Sequence, residues 1–361
     1  GSILEKGLAA LVGILLLRHG AGVIVMALVL LGASVINTLW QTIWFFRRVG
    51  VRFVLDLALM RLLSRTGIPF LIYGILWVIY DRVDIVLLSL MTSDAVVGWY
   101  GAGYRLFDTL SFLPAIVMPI MYPIFSRLSA TSETNLRLVM VKTINFLLFF
   151  ALPIATGLVV IAPQLISFLY QRPEFAHTIP VLQALAPGIV ITYVNMVLSD
   201  ALVSTGREKK IPIMAGVALL FNLGLNFILI PLAQQVGAAI VTTLTELLLL
   251  CLSLAFLPRH LLPIGSARTG IKAALASGVM FVAILPFRED SMVIILPVAM
   301  LVYFSAAIFL RTVPAEDLRA IYQAIRVKAL ALPPAAPANL LAQDGQIRAE
   351  EELLERSARG E

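Results

Sequence analysis

Apolar residues fill this sequence in runs of about 20, the length at which an α-helix crosses the hydrocarbon core of a bilayer. Short polar connectors separate the runs. A cleaved leader peptide would explain one run at the N-terminus, but not runs that recur along the whole chain. The pattern predicts an all-α, polytopic bundle of about ten transmembrane helices, near residues 3–17, 21–46, 67–91, 95–125, 143–163, 178–203, 211–232, 237–257, 270–287 and 291–310.

The positive charges between these runs alternate from one connector to the next. Cytoplasmic loops of membrane proteins are enriched in Lys and Arg, so this alternation predicts which loops face the cytoplasm. It puts both ends of the chain on the cytoplasmic side of a cell membrane. The sparsely charged connectors carry only Arg18, Arg172 and Arg288. The rich ones carry Arg47, Arg48, Arg52, Arg61, Arg65, Arg127, Arg137, Lys142, Arg207, Lys209, Lys210, Arg259, Arg268 and Lys272.

Composition agrees with a membrane protein and argues against other classes. Hydrophobic residues make up 60% and charged residues 13% of the chain, against about 45–50% and 25% in soluble domains. The net charge of +6 comes from short basic clusters between apolar runs, so we expect no nucleic-acid partner. Cys251 is the single cysteine, and the three histidines lie far apart in sequence, so no metal site is expected.

Charged residues interrupt the third and fourth apolar runs, which contain Asp81, Arg82, Asp84, Arg105 and Asp108. Each charge at a helix centre facing lipid costs roughly 2.5–3.5 kcal/mol, so five of them would cost on the order of 12–17 kcal/mol. These side chains must therefore pair, face the bundle interior or line a water-filled cavity. Proline residues follow at positions 114, 119 and 123 and predict a bend in the fourth span.

Several of these polar residues are predicted to share one layer of the membrane. At about 1.5 Å per residue from the outer connector, Asp84 lies about 12 Å deep, Arg105 about 15 Å, Asp81 about 16 Å and Glu246 about 14 Å. Asn222 lies at a similar depth. Two interpretations stay open: Asp81 and Arg105 form a buried pair that joins two helices, or the layer is a polar cavity that contacts a charged substrate or a coupling ion.

Motifs of soluble enzymes are absent. Gly101 and Gly103 imitate part of a dinucleotide-binding loop, but they lie inside an apolar span without a preceding strand, which indicates chance or close helix packing. The chain is not expected to be an enzyme. Two segments outside the spans, 47–66 and 316–332, have the amphipathic pattern of helices that lie on a membrane surface, and the proline-rich linker 333–339 follows the second.

Two stretches resemble a known family. DRVDIVLLSLMTSDAVVGWYGAGYRLFDTLSFLPAIVMPIMYPIFSRLS, residues 81–129, resembles the seventh and eighth helices of the polysaccharide flippases of the multidrug/oligosaccharidyl-lipid/polysaccharide exporter superfamily. SDALVSTGREKKIPIMAGVALLFNLGLNFILIPLAQQVGAAIVTTLTE, residues 199–246, resembles their later helices, with a basic turn and paired asparagines in order. Together the two stretches cover about a quarter of the chain.

The resemblance implies a two-bundle architecture whose first bundle is incomplete here. The chain opens at Gly1 without an initiating methionine and enters the membrane almost at once, so we expect four earlier helices to be missing. The expected parts are a two-span remnant of the N-terminal bundle (1–46), a cytoplasmic amphipathic connector (47–66), a six-helix C-terminal bundle (67–257), two additional spans (258–311) and a cytoplasmic tail with a flexible end (312–361).

The resemblance also implies a function. Flippases of this family move a lipid-diphosphate-linked oligosaccharide across the cell membrane by alternating access, for cell-surface polysaccharide biosynthesis. Arg105 matches a cavity arginine of the related lipid II flippases, which implies contact with the anionic diphosphate, helped by Arg82. Asp81, Asp84, Asp108, Glu246 and Asn222 would complete the cavity, where the carboxylates balance charge or carry a coupling Na⁺ or H⁺. The expected partners are the lipid-linked oligosaccharide, membrane lipids and membrane proteins of polysaccharide assembly.

Two alternatives stay open at this stage. A cation-coupled multidrug exporter of the same superfamily would favour carboxylates and aromatic residues in its cavity, and the intramembrane arginines argue mildly against it. A membrane-embedded polysaccharide polymerase or glycosyltransferase would carry acidic or basic catalytic residues on a large outer loop. The longest outer connector, 162–177, offers only Arg172, Glu174 and His177.

Overall fold

The computed structural model describes residues 2–18, 22–49, 57–288 and 291–312. The predicted surface helix at 316–332, the linker 333–339 and part of the connector 47–66 lie outside these ranges. Every regular element within them is helical, which confirms the predicted fold class. The helices are α1 (Ser2–Arg18), α2 (Val23–Val49), α3 (Leu57–Met91), α4 (Asp94–Leu110), α5 (Phe112–Thr131), α6 (Glu133–Tyr170), α7 (Ile179–Ser204), α8 (Lys210–Phe256), α9 (Ser266–Ile284) and α10 (Met292–Phe309).

The chain divides into two compact units, Gly1–Pro69 and Phe70–Glu361, with the boundary inside α3. In the first unit α1 packs against α2. In the second unit α6, α7 and α8 form the centre, and α9 and α10 pack together and against α6. The largest fully buried side chains of this second unit include Tyr100, Tyr193 and Phe125.

Seven helical stretches within the described ranges are long and apolar enough to cross a membrane. All ten predicted spans coincide with helices, but those at 3–17 and 67–91, in α1 and α3, are not among the seven. The outward surface is apolar, as bilayer contact requires: Phe309 is 86% and Leu90 is 77% exposed.

The 47-residue helix α8 accounts for two of the predicted spans, 211–232 and 237–257. Its backbone leaves helical geometry at Gln234, where φ is 45° and ψ is −125°. The chain turns back sharply there, as the close approach of Gly237 to Leu229 shows: a Cβ added at Gly237 would lie only 2.3 Å from the carbonyl oxygen of Leu229. We call the two parts α8a, before Gln234, and α8b, after it. They form an antiparallel hairpin that brings distant positions of α8 together.

The predicted bend of the fourth span lies at Ser111, between α4 and α5. Pro114 has no N–H group, so it cannot satisfy the carbonyl oxygen of Leu110 four residues earlier. The hydroxyl of Tyr193 on α7 donates to that oxygen at 2.5 Å. A side chain from another helix thus replaces the missing backbone hydrogen bond.

The same arrangement occurs twice along α6, which contains Pro153 and Pro163. The carbonyl that Pro153 leaves open belongs to Phe149, and the hydroxyl of Tyr303 on α10 donates to it at 2.5 Å. The carbonyl that Pro163 leaves open is that of Val159, and the side-chain amide of Gln183 on α7 donates to it at 2.9 Å. Unsatisfied carbonyls are costly in hydrocarbon, so these contacts both stabilise the bundle and fix how its helices pack.

The glycine pair of α4 serves helix packing. A Cβ at Gly103 would lie 2.9 Å from Cγ1 of Val181 on α7, whereas at Gly101 it would meet nothing within 4 Å. Gly103 therefore allows α4 and α7 to approach closely. Of the two interpretations of the glycine pattern, chance or close helix packing, packing therefore holds for Gly103 but not for Gly101.

Candidate functional site

A cavity of about 480 Å³ lies inside the second unit, between α3, α4, α5, α7 and α8. Carboxyl, amide and hydroxyl groups alternate with apolar residues along its wall. Its polar lining residues are Tyr80, Asp84, Tyr104, Asp108, Ser111, Thr192, Asn195, Ser199, Asp200, Asn222, Thr242 and Glu246.

Asp84 is the most enclosed carboxylate of this cavity, with 5% of its surface exposed. Its Oδ1 accepts a hydrogen bond from Nδ2 of Asn226 at 2.7 Å. Its Oδ2 lies 2.7 Å from Oγ1 of Thr242 and 3.0 Å from the hydroxyl of Tyr100, both of which can donate to it. The described partners of this buried carboxylate are therefore all neutral.

The hairpin of α8 makes this arrangement. Asn226 lies on α8a and Thr242 lies on α8b, yet both contact the carboxylate of Asp84. A straight helix would separate two positions 16 residues apart by about 24 Å. The reversal at Gln234 brings them to one side chain of α3.

A chain of polar side chains extends from Asp84 along α8a. Nδ2 of Asn226 also donates to Oδ1 of Asn222 at 2.7 Å, and Nδ2 of Asn222 lies 3.4 Å from Oγ1 of Thr245 on α8b. The amide oxygen of Asn226 is buried and has no hydrogen-bond partner in the described structure. We call Asp84, Tyr100, Asn222, Asn226, Thr242 and Thr245 the Asp84 cluster.

Glu246 lies one turn beyond Thr242 on α8b and faces the same cavity. Nδ2 of Asn195 on α7 donates to Oε2 of Glu246 at 2.8 Å and to its backbone oxygen at 2.9 Å. These two acceptors fix the orientation of the Asn195 amide, whose oxygen is buried without a partner in the part of the chain that the structure describes.

The structure brings together four of the residues selected from the sequence: Asp84, Asp108, Asn222 and Glu246 all line the cavity. Arg82 and Arg105 are exposed and are not among its lining residues. Asp81 lies on α3, and its side chain is outside the described part of the structure. The proposed pairing of Asp81 with Arg105 therefore stays a prediction.

Sequence reasoning missed Asn195, Asp200 and Thr242 as cavity residues, and Tyr100 and Asn226 as members of the Asp84 cluster. A signal for two of them was present, because Asn226 follows Asn222 by four positions and Thr242 precedes Glu246 by four. Residues four apart share one face of a helix. Tyr100 and Asn195 carry no comparable signal, because their contacts come from other helices.

The cavity is strongly acidic. Its lining carboxylates are Asp84, Asp108, Asp200 and Glu246, and no Lys or Arg appears among the described lining residues. In a membrane interior such a set attracts cations and repels anions. No group of three or more histidine, cysteine or acidic side chains in the described ranges is arranged to hold a metal ion. The described histidines lie elsewhere: His177 packs on Trp99, and His260 lies 2.9 Å from Glu133.

Residues 2–173 match the model of a family described as polysaccharide biosynthesis protein. The chain is also similar to the probable flippase AglR of Haloferax volcanii, with 24% identity over 215 residues, which is 58% of this chain and 45% of that protein. The chain thus spans about half the length of this curated relative.

Two solved structures show similarity to this chain. The lipid II flippase MurJ in its inward closed conformation superposes with a TM-score of 0.71 and 18% identity, over 85% of this chain and 66% of that one. A transporter of the multidrug/oligosaccharidyl-lipid/polysaccharide superfamily from Pyrococcus furiosus gives a TM-score of 0.46 and 17% identity, over 68% and 64% of the two chains. The similarity to MurJ confirms the predicted transporter fold.

Proposed function

We propose that the chain is a polysaccharide flippase of the multidrug/oligosaccharidyl-lipid/polysaccharide exporter superfamily, and that it moves a lipid-diphosphate-linked oligosaccharide across the cell membrane by alternating access. The match of residues 2–173 to a polysaccharide biosynthesis family, the similarity to a probable flippase and the MurJ-like fold support the proposal. The observation that carries the proposal is a separation of charge. The carboxylates Asp84, Asp108, Asp200 and Glu246 line one cavity, whereas Arg105 is exposed and does not line it.

The anionic head group would bind at the exposed arginine. Arg105 lies 11 positions after the first residue of α4, about 17 Å along the helix. An exposed guanidinium at such a depth is stabilised by water or by an anion, not by lipid tails. A diphosphate suits it, because guanidinium can donate two parallel hydrogen bonds to phosphate oxygens and stays charged when desolvated. Arg82, also exposed, would assist.

The coupling cation would bind at the Asp84 cluster. A carboxylate with neighbouring amide and hydroxyl oxygens provides the hard oxygen ligands that Na⁺ prefers, and Asp84 could alternatively take a proton. The unpartnered oxygen of Asn226 supports the cation proposal, since a bound ion would satisfy it. A cation bound here would neutralise Asp84 and link α3 to both halves of α8. It would thereby favour one conformation of the bundle, as coupling requires.

We place both ends of the chain in the cytoplasm of a cell that builds a surface polysaccharide. The distribution of Lys and Arg between connectors supports this orientation. Membrane proteins that assemble the polysaccharide would be its partners.

The acidic cavity favours one alternative function, export of organic cations by cation-coupled transport. A cavity of about 480 Å³ with four lining carboxylates could accept a drug-sized cation. This function would use the cavity itself as the substrate site and would not need Arg105.

The test is translocation of a fluorescent lipid-diphosphate oligosaccharide by the full-length protein in proteoliposomes. We expect R105A to reduce the rate about ten-fold or more and R105K to restore part of it. The matched control is R127A, which removes an exposed arginine at the end of α5 and should leave the rate near that of the unchanged protein. Equal rates for R105A and the unchanged protein would exclude the head-group assignment. Export of an organic dye cation that depends on Asp84 but not on Arg105 would favour the multidrug alternative.

A further inference from the structure

Glu246 and Asn195 form a polar site that the Asp84 cluster does not include. Asn195 is 7% exposed, and its amide nitrogen is committed to Glu246 through two hydrogen bonds. Its amide oxygen therefore points away from the nitrogen's partners and remains buried without a donor in the described structure. A buried amide oxygen without a partner costs about 1–3 kcal/mol unless a ligand satisfies it.

A second oxygen lies nearby on the same helix. Thr192 precedes Asn195 by three positions, so the two side chains share one face of α7, and both line the cavity. The Thr192 hydroxyl is buried and has no hydrogen-bond partner in the described structure. A carboxylate, an amide oxygen and a hydroxyl thus lie around one end of the cavity, and all three are the ligand type that binds hard monovalent cations.

This site is separate from the Asp84 cluster but close to it. Glu246 follows Thr242 by four positions on α8b, about one helical turn, and Thr242 contacts Asp84. Two ionised carboxylates at this spacing in a membrane interior repel each other unless each has its own counter-ion. The Asn195 amide donates a hydrogen bond to the Glu246 carboxylate and holds it in place.

We propose that Glu246, Asn195 and Thr192 form a second Na⁺ site, so that the protein binds two sodium ions in one cavity. The inference rests on the proposed cation coupling and extends it to a second ion. Asp200, four residues before the end of α7 at Ser204, lines the same cavity. Its negatively charged side chain would attract sodium ions that enter the cavity from that end of α7 and move towards Glu246.

The test is equilibrium binding of radioactive sodium to the purified chain in lipid nanodiscs near neutral pH. We expect the unchanged chain to bind two Na⁺, and D84N and E246Q to bind one each. The double variant should bind none. Matched controls are E208Q, in the exposed α7–α8 loop, and D94N, at the exposed start of α4. Both should still bind two.

N195A addresses the case in which E246Q fails to fold. It removes the unpartnered oxygen but leaves the carboxylate, so it should weaken one of the two sodium sites about ten-fold and leave the other unchanged. Two sodium ions bound by E246Q, or unchanged affinities in N195A, would overturn the second site. A single ion that is lost in D84N and kept in E246Q would also overturn it, while the proposed coupling at Asp84 would stand. Absence of sodium binding in every variant would instead contradict sodium coupling as a whole.

Discussion

The amide nitrogen of Asn226 lies 2.7 Å from Oδ1 of Asp84, which joins α8a to α3 across 142 positions of the sequence. The same carboxylate lies 2.7 Å from the hydroxyl of Thr242 on α8b. Because Tyr100 on α4 also contacts it, this one side chain connects four helical segments. Under the proposed coupling, binding of a cation to Asp84 would alter the packing of these segments.

Sodium should stabilise the chain through Asp84. A ligand that binds only the folded state adds about 2.7 kcal/mol at a concentration 100-fold above its dissociation constant. We expect sodium chloride to raise the melting temperature of the purified chain more than choline chloride does. The difference should be clearly smaller in D84N and unchanged in D94N. Differential scanning fluorimetry in detergent measures it, and an equal sodium effect in D84N would show that the ion binds elsewhere.

Removal of the Tyr193 hydroxyl should destabilise the bundle. In Y193F the carbonyl of Leu110 loses its donor, while Pro114 still cannot supply one. We expect a loss of about 1–2 kcal/mol, the range for a hydrogen bond inside a membrane protein. Y122F, in an exposed part of α5, is the matched control and should melt like the unchanged chain. If both variants melt at the same temperature, Tyr193 does not stabilise the break between α4 and α5.

The reversal of α8 should not tolerate a side chain at Gly237. A Cβ there would lie 2.3 Å from the oxygen of Leu229, which is backbone and cannot move aside cheaply. G237A should lower the melting temperature, and it should weaken sodium binding because Asn226 and Thr242 would no longer converge on Asp84. Gly224 is exposed on α8a with open space around it. G224A should be neutral or slightly stabilising, since alanine favours helix. Normal stability of G237A would contradict the hairpin.

The pattern of apolar runs was sufficient to predict an all-α membrane bundle and the approximate positions of its spans, although the span at 95–125 is two helices, α4 and α5. Helices in a bilayer must satisfy their own backbone groups, so a run of about 20 apolar residues leaves few alternatives. The sequence also indicated that α8 contains two spans, because the polar stretch AQQ, residues 233–235, interrupts its apolar run.

Membrane depth predicted part of the site. Asp84, Asn222 and Glu246 were selected because their positions along separate helices put them in one layer, and all three line the cavity. Depth gives the position along the membrane normal but not the direction in which a side chain points. Arg105 shares that layer and is exposed outside the cavity.

The sequence by itself determined that this protein is helical, that it lies in a membrane and which polar residues share a layer, because these properties depend on short-range periodicity and on distance along a helix. Only the tertiary structure decided that Asn226 and Thr242 meet at Asp84, that Asn195 binds Glu246, and that the arginines lie outside an acidic cavity. Those contacts depend on the reversal at Gln234 and on the rotation of each helix about its axis. Packing between helices sets both, through side chains that lie far apart in sequence.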